Sequence, residues 1–221
     1  MIFALIFLGA LAFIFERRKV SAKEIAVIAV LAALAGLGRV PFAFIPSAQP
    51  TTFFVIMTGI VFGIRAGFWV GCTAALVSNA FLGQGPWTIV QMLAWGLCGI
   101  SAGILGRLSR IYVPYVIASP IGAKQSLFKG LLRRFASSND VALIFFGFLW
   151  GYLFGWITNL WYWLSFVYPL NWQSWLSTNI LSFWFDTTHA VTNVLFLGIL
   201  GPSFLKILNR FKQKFSYRYE K

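Results

Sequence analysis

Asp186, His189 and Asn193 stand three and four residues apart in the stretch "DTTHAVTN". On a helix that spacing puts a carboxyl, an imidazole and an amide on one face. Such a stripe can carry a proton, hold a ligand or clamp two helices together. Its surroundings are apolar, and an unpaired carboxylate at membrane depth costs roughly 3 kcal/mol even on the milder insertion scale. Asp186 is therefore expected to be protonated, paired or lining a cavity, with Arg39 as the candidate partner. The chain has one His, and no second ligand cluster stands near it in sequence, so the stripe does not read as a metal centre.

A second polar group is packed into "NAFLGQGPWTIVQMLAWG", Asn79 to Gly96. Thr88, Gln91 and Trp95 follow at three- and four-residue steps, on one helix face. Gly83 and Gly85 bracket Gln84 in a turn closed by Pro86 and Trp87, and glycine admits the backbone angles such a turn needs. Two further connections are unusual. "RVPFAFIPSAQP" carries Arg39, Gln49 and three prolines, and "TNLWYW" carries Asn159 and Trp161 shortly before "YPLNWQSW". An interfacial aromatic belt accounts for some of the ten Trp. It does not account for Asn79, Gln91 or Asn159, which at membrane depth need partners or a cavity. The candidate binding residues are thus Arg39, Gln49, Asn79, Gln84, Trp87, Gln91, Trp95, Asn159, Trp161, Asp186, His189 and Asn193. Amides that pair with amides and indoles that cover flat apolar faces suit a neutral or mixed ligand. A polyanion would call for several Arg or Lys.

The elements that must position these groups are transmembrane helices. The chain is 59% hydrophobic and 10% charged, with a mean hydropathy of +0.80, far from the ~25% charged residues of soluble domains. Apolar segments run over 1–15, 22–38, 51–64, 67–82, 88–106, 141–168 and 175–205. Let the run "ERRK" face the cytoplasm and let each segment from Ala22 onward cross once. Then 17 of the 18 Lys and Arg fall inside and only Arg39 falls outside. The net charge of +13 thus marks a membrane side rather than a nucleic-acid partner. Cys72 and Cys98 lie within apolar segments and read as small buried side chains. The expected fold is an all-α polytopic membrane protein with a six-helix core and an extra N-terminal apolar helix. Residues 1–21 form the N-terminal apolar segment with its basic flank. Residues 22–210 form the membrane domain, with the basic cytoplasmic linker 107–140 inside it, and 211–221 form a basic tail. Within the linker, Leu127, Phe128, Leu131, Leu132 and Phe135 would share one helical face, so the stretch reads either as an amphipathic helix on the lipid bilayer or as a solvated basic loop.

Small residues recur at four-residue steps: Gly59/Gly63/Gly67/Gly71, Gly99/Gly103 and Gly147/Gly151/Gly155. Close helix packing inside the chain is the simplest reading. Ala22/Ala26 and Ala29/Ala33 repeat the spacing on the first core helix, either as packing or as a docking face.

Together, "LAALAGLGRVPFAFIPSAQP", "GIVFGIRAGFWVG", "SNAFLGQGPWTIVQMLAWG", "TNLWYW" and "DTTHAVTN" resemble the substrate-binding S components of energy-coupling factor (ECF) importers. The resemblance covers roughly 22–106 and 141–210 and is strongest toward the cobalamin-type branch. It implies a six-helix core in a prokaryotic plasma membrane, with a pocket opening outward for a small-molecule vitamin. It implies that Ala22, Ala26, Ala29 and Ala33 dock a scaffold membrane subunit carrying two ATPase subunits, while the S component itself is neither an enzyme nor a holder of a cofactor. Segment 1–15 and the long linker depart from the pattern. Two other classes compete: a proton-coupled secondary transporter using Asp186, and an intramembrane enzyme using Asp186 and His189 as acid and base.

Overall fold

The structure, a computed structural model, describes residues 6, 9, 22–108 and 138–216. Among the described residues, six α-helices follow one another: α1 (Ala22–Leu37), α2 (Thr51–Phe62), α3 (Ile64–Leu82), α4 (Trp87–Leu108), α5 (Ser138–Phe166) and α6 (Trp172–Ser216). A 3-10 turn, Val40–Phe42, lies between α1 and α2. The protein is an all-α membrane protein. Among the described residues, α1 together with the 3-10 turn that follows it (Ala22–Phe42), α4, α5 and α6 are each long and apolar enough to cross a bilayer. Of the expected N-terminal helix only residues 6 and 9 are described, both helical, and the amphipathic stretch of the linker and the end of the tail lie outside the described residues.

Three boundaries differ from the sequence expectation. The α2–α3 turn falls at Gly63 rather than Arg65, because Gly63 adopts φ +94°, a conformation that L side chains resist. Helix α2 is only 12 residues, about 18 Å, short of a full crossing. Its start is set by the proline-rich connection, which turns inward so that Ala48, Gln49, Thr51 and Thr52 are all buried. Helix α6 runs to Ser216 through Pro202 instead of ending near Leu205. A proline removes one backbone donor and strains a helix without always ending it.

Glycines set the helix spacing. A Cβ on Gly99 would strike the Gly67 carbonyl, and one on Gly71 would strike the Trp95 carbonyl, so α3 and α4 touch backbone to backbone. Helices α5 and α6 also pack closely, with Gly151 against the Ala190 backbone and Gly155 against the Asp186 carboxylate. These contacts are the intramolecular packing expected from the four-residue glycine spacing. Helix α1 packs on α3 through Ala32, Ala35 and Gly36, where a Cβ on Gly36 would meet Val77. Ala22, Ala26 and Ala29 point away from that contact and are exposed, and Ala33 is half-buried. The core behind these helices is aliphatic and aromatic, from Val55, Ile56 and Met57 on α2 to Met92 and Trp95 on α4 and Leu197 on α6.

Candidate functional site

Close packing of α3 on α4 brings the two flanks of the "LGQGPW" turn together. Asn79 is buried and donates through Nδ2 to Thr88 Oγ1 at 3.0 Å and to Gln91 Oε1 at 2.7 Å. Its Oδ1 accepts from Arg39 Nη1 at 3.0 Å, and the same nitrogen donates to Ser78 Oγ at 3.1 Å. Arg39 reaches these groups because α1 ends at Leu37 and the 3-10 turn follows directly. Gln84 is turned inward. It donates to the Leu76 carbonyl at 3.0 Å and accepts from Thr88 Oγ1 at 3.0 Å. It therefore braces the turn, whereas Trp87 is exposed beside Gly85.

One helical turn deeper, Trp95 is fully buried and donates through Nε1 to Thr52 Oγ1 at 2.9 Å. Thr52 Oγ1 also lies 2.7 Å from His189 Nε2. Arg39 Cζ sits 5.4 Å from the Trp95 ring centroid, within cation–π range. Phe154 stacks on Trp95 at 4.6 Å and meets His189 edge-on at 5.0 Å. Residues from the end of α1 and from α2, α3, α4, α5 and α6 thus converge on one cluster of Arg39, Thr52, Asn79, Gln91, Trp95, Phe154 and His189. Gln49 lies just ahead of α2, is buried, and has no hydrogen-bond partner for its Oε1. Buried acceptors of this kind are rare.

The expected stripe on α6 divides. His189 joins the cluster above, but Asp186 does not pair with Arg39. Asp186 Oδ2 accepts from Ser182 Oγ at 2.8 Å. Asn159 Nδ2 donates to Ser182 Oγ at 2.6 Å and to Asn179 Oδ1 at 3.2 Å. This second network clamps α5 to α6. Asp186 turns toward α5 because Gly155, lacking a side chain, leaves room for its carboxylate. Asp186 and His189 therefore take different partners and do not form a dyad. Asn193 is fully buried and donates to the Gly147 carbonyl at 2.9 Å, which leaves its Oδ1 without a partner. Trp161 packs edge-on against Phe166 at 5.5 Å, apart from the cluster. Of the twelve candidates, Arg39, Asn79, Gln91, Trp95 and His189 come together, with Gln49 and the bracing Gln84 at the margin.

Sequence reasoning missed Thr52, Ser78, Phe154, Asn179 and Ser182. Asn179, Ser182 and Asp186 follow a three-and-four spacing, so extending the stripe one turn upstream would have found that clamp. Thr52 gives no such signal, since a Thr after a proline at a helix start reads as an ordinary terminus. Among the described residues, no three of His, Cys, Asp and Glu gather as they would for a metal ion. Cys72 and Cys98 are both buried and unbridged.

No family model matches the chain, and no solved structure matches it. UPF0397 proteins of Aliivibrio fischeri strains MJ11 and ATCC 700601 / ES114 are each 31% identical over 137 residues, which is 60% of this chain and 67% of theirs. A UPF0397 protein of Vibrio atlanticus strain LGP32 is 30% identical over 95 residues, 41% of this chain and 52% of that protein. The identity extends over two thirds of the Aliivibrio fischeri proteins, and on that ground the chain belongs to the UPF0397 family.

Proposed function

We propose that this protein is the substrate-binding S component of an ECF-type importer in a prokaryotic plasma membrane. It captures a vitamin or related micronutrient from outside, and a scaffold membrane subunit with two ATPases drives release inward. The observation that carries the reading is the convergence of Arg39, Thr52, Asn79, Gln91, Trp95 and His189 from separate helices at the end of the bundle away from most basic residues. Polar groups in an apolar bundle are costly and are kept where they serve a ligand or a pathway. Their chemistry is one cation, several amides and an indole, the group types that a ligand with amide edges and an apolar body would need. Gln49 Oε1 adds an acceptor that no described protein group satisfies. Cobalamin fits this chemistry and is the substrate we propose. The outward-facing Ala22, Ala26 and Ala29, with Ala33 beside them, leave a small-residue face on α1 for the scaffold subunit.

The test is to purify the full chain in mild detergent, release bound compounds with heat and identify them by mass spectrometry. A stoichiometric vitamin is expected, and a corrinoid would also show in the visible spectrum. No compound above a control membrane protein, and no heat on titrating a panel of vitamins, would contradict the proposal.

One observation favours a second reading. Asp186 is buried and takes a hydroxyl from Ser182. A carboxyl so placed suits a proton-coupled transporter. Uptake by the chain alone, abolished by an uncoupler, would establish that alternative.

A further inference from the structure

A crevice of about 300 Å³ opens between α1 and the last third of α6. Val30 and Leu34 of α1, Phe62 at the end of α2, and Phe204, Ile207 and Phe211 of α6 line it, and every lining side chain is apolar. From Ala26 to Leu34 it runs about 12 Å along α1. One leaflet of a bilayer has a hydrocarbon depth of about 15 Å, half of the ~30 Å core. The crevice thus has the length and chemistry of a single leaflet's acyl chain. A helix of the same length, roughly 10 Å across, would occupy about 900 Å³. It could lie over the crevice but not fill it.

The charges at one end say which lipid. Lys23 stands one turn before Ala26 and Val27 on α1, and exposed Arg210 stands between the lining residues Ile207 and Phe211. Lys212 Nζ donates to the Val61 carbonyl at 2.6 Å, beside Phe62. Arg65 and Lys206 belong to the same end, and Glu24 is the acid among them. Basic clefts between helices on the cytoplasmic side hold anionic headgroups. We propose that the crevice seats one anionic phospholipid of the leaflet on the basic side. Its acyl chain lies between α1 and α6, and its phosphate lies among Lys23, Arg210 and Lys212. The seat is turned about a quarter of the way around α1 from the Ala22/Ala26/Ala29/Ala33 stripe and shares only Ala26 with it. It does not depend on the transport reading.

The experiment is native mass spectrometry of the full chain from vesicles holding equal phosphatidylglycerol and phosphatidylcholine with identical acyl chains. One phosphatidylglycerol adduct should survive collision energies that strip phosphatidylcholine. Ile207→Trp, which fills the crevice, should lose that adduct. Val30→Phe fills it from the other wall and serves if the first variant does not fold. Lys23→Gln with Arg210→Gln should keep an acyl adduct but reduce the preference for phosphatidylglycerol roughly thirty-fold, a factor of about five per cation. Equal retention of the two lipids, or an adduct undiminished in both filled variants, would overturn the proposal. So would a photo-crosslinker at position 207 that captures a polypeptide instead of lipid.

Discussion

Thr52 is the hub on which the deep half of the cluster depends, and replacing it separates hydrogen bonding from packing. Its hydroxyl accepts from Trp95 Nε1 and meets His189 Nε2, and Trp95 and His189 are 0% and 2% exposed. Thr52→Val keeps the side-chain shape and removes the hydroxyl. Both partners are then stranded, each at about 1–3 kcal/mol, or about 2–6 kcal/mol together. Thr52→Ser keeps the hydroxyl and removes a methyl, worth about 1 kcal/mol. For a chain of this size 1 kcal/mol moves Tm by about 2–4 °C, so the valine variant should lose at least about 4 °C. The order of the variants is the sharper test. Hydrogen bonding ranks serine above valine, whereas packing alone ranks valine above serine because it leaves no cavity. Thermal unfolding of the purified full chain, followed by tryptophan fluorescence and by labelling of the buried cysteines, reads this order. Thr52→Val with Trp95→Phe should be strongly non-additive, because the second change removes one stranded donor. A valine variant as stable as the serine variant would refute the hub.

Other positions give independent checks. Gly99→Ala drives a Cβ into the Gly67 carbonyl, and the folded yield or Tm should fall by the equivalent of about 1–3 kcal/mol or more. Gly201→Ala meets only Met57 Cε at 3.4 Å, so the same thermal assay should show it neutral or stabilised by up to about 1 kcal/mol. Gln91→Ala removes an amide that anchors Asn79, and calorimetry with the co-purified compound should show binding ten- to a hundred-fold weaker, about 1–3 kcal/mol. Ala29→Trp and Ala33→Trp should abolish uptake in cells holding the scaffold and ATPases while leaving binding to the isolated chain unchanged.

Hydropathy and charge made the helices legible, because a membrane span must satisfy its backbone internally and announces itself as a long apolar run. The glycine repeats foretold close helix packing, and the structure has it between α3 and α4 and between α5 and α6, where a missing Cβ lets the helices approach. Local spacing also placed Asn79, Thr88 and Gln91 together across one turn. The division of the α6 stripe was not legible. Asp186 and His189 share a helix face within one turn, yet each follows its neighbour: the gap at Gly155 draws one, and the Thr52 hydroxyl draws the other. The spacing of Asn179, Ser182 and Asp186 on α6 carries the Asp186 contact with Ser182, but the pairing of His189 with Thr52 depends on where α2 comes to lie, which no spacing on α6 encodes. Arg39 shows the same limit. A lone cation and a lone buried acid invite pairing, but the inward fold of the proline-rich connection gives Arg39 to Asn79 and the Trp95 ring instead.

Uptake of labelled cobalamin into cells lacking their own importer shows whether this chain captures a vitamin and depends on partner subunits for the energy to deliver it. The comparison is between cells making this chain alone, with a scaffold subunit and two ATPases, and with ATPases whose phosphate-binding lysine is replaced. Accumulation is expected only in the second case. Accumulation by the chain alone, lost on adding an uncoupler, would contradict the dependence on partner subunits.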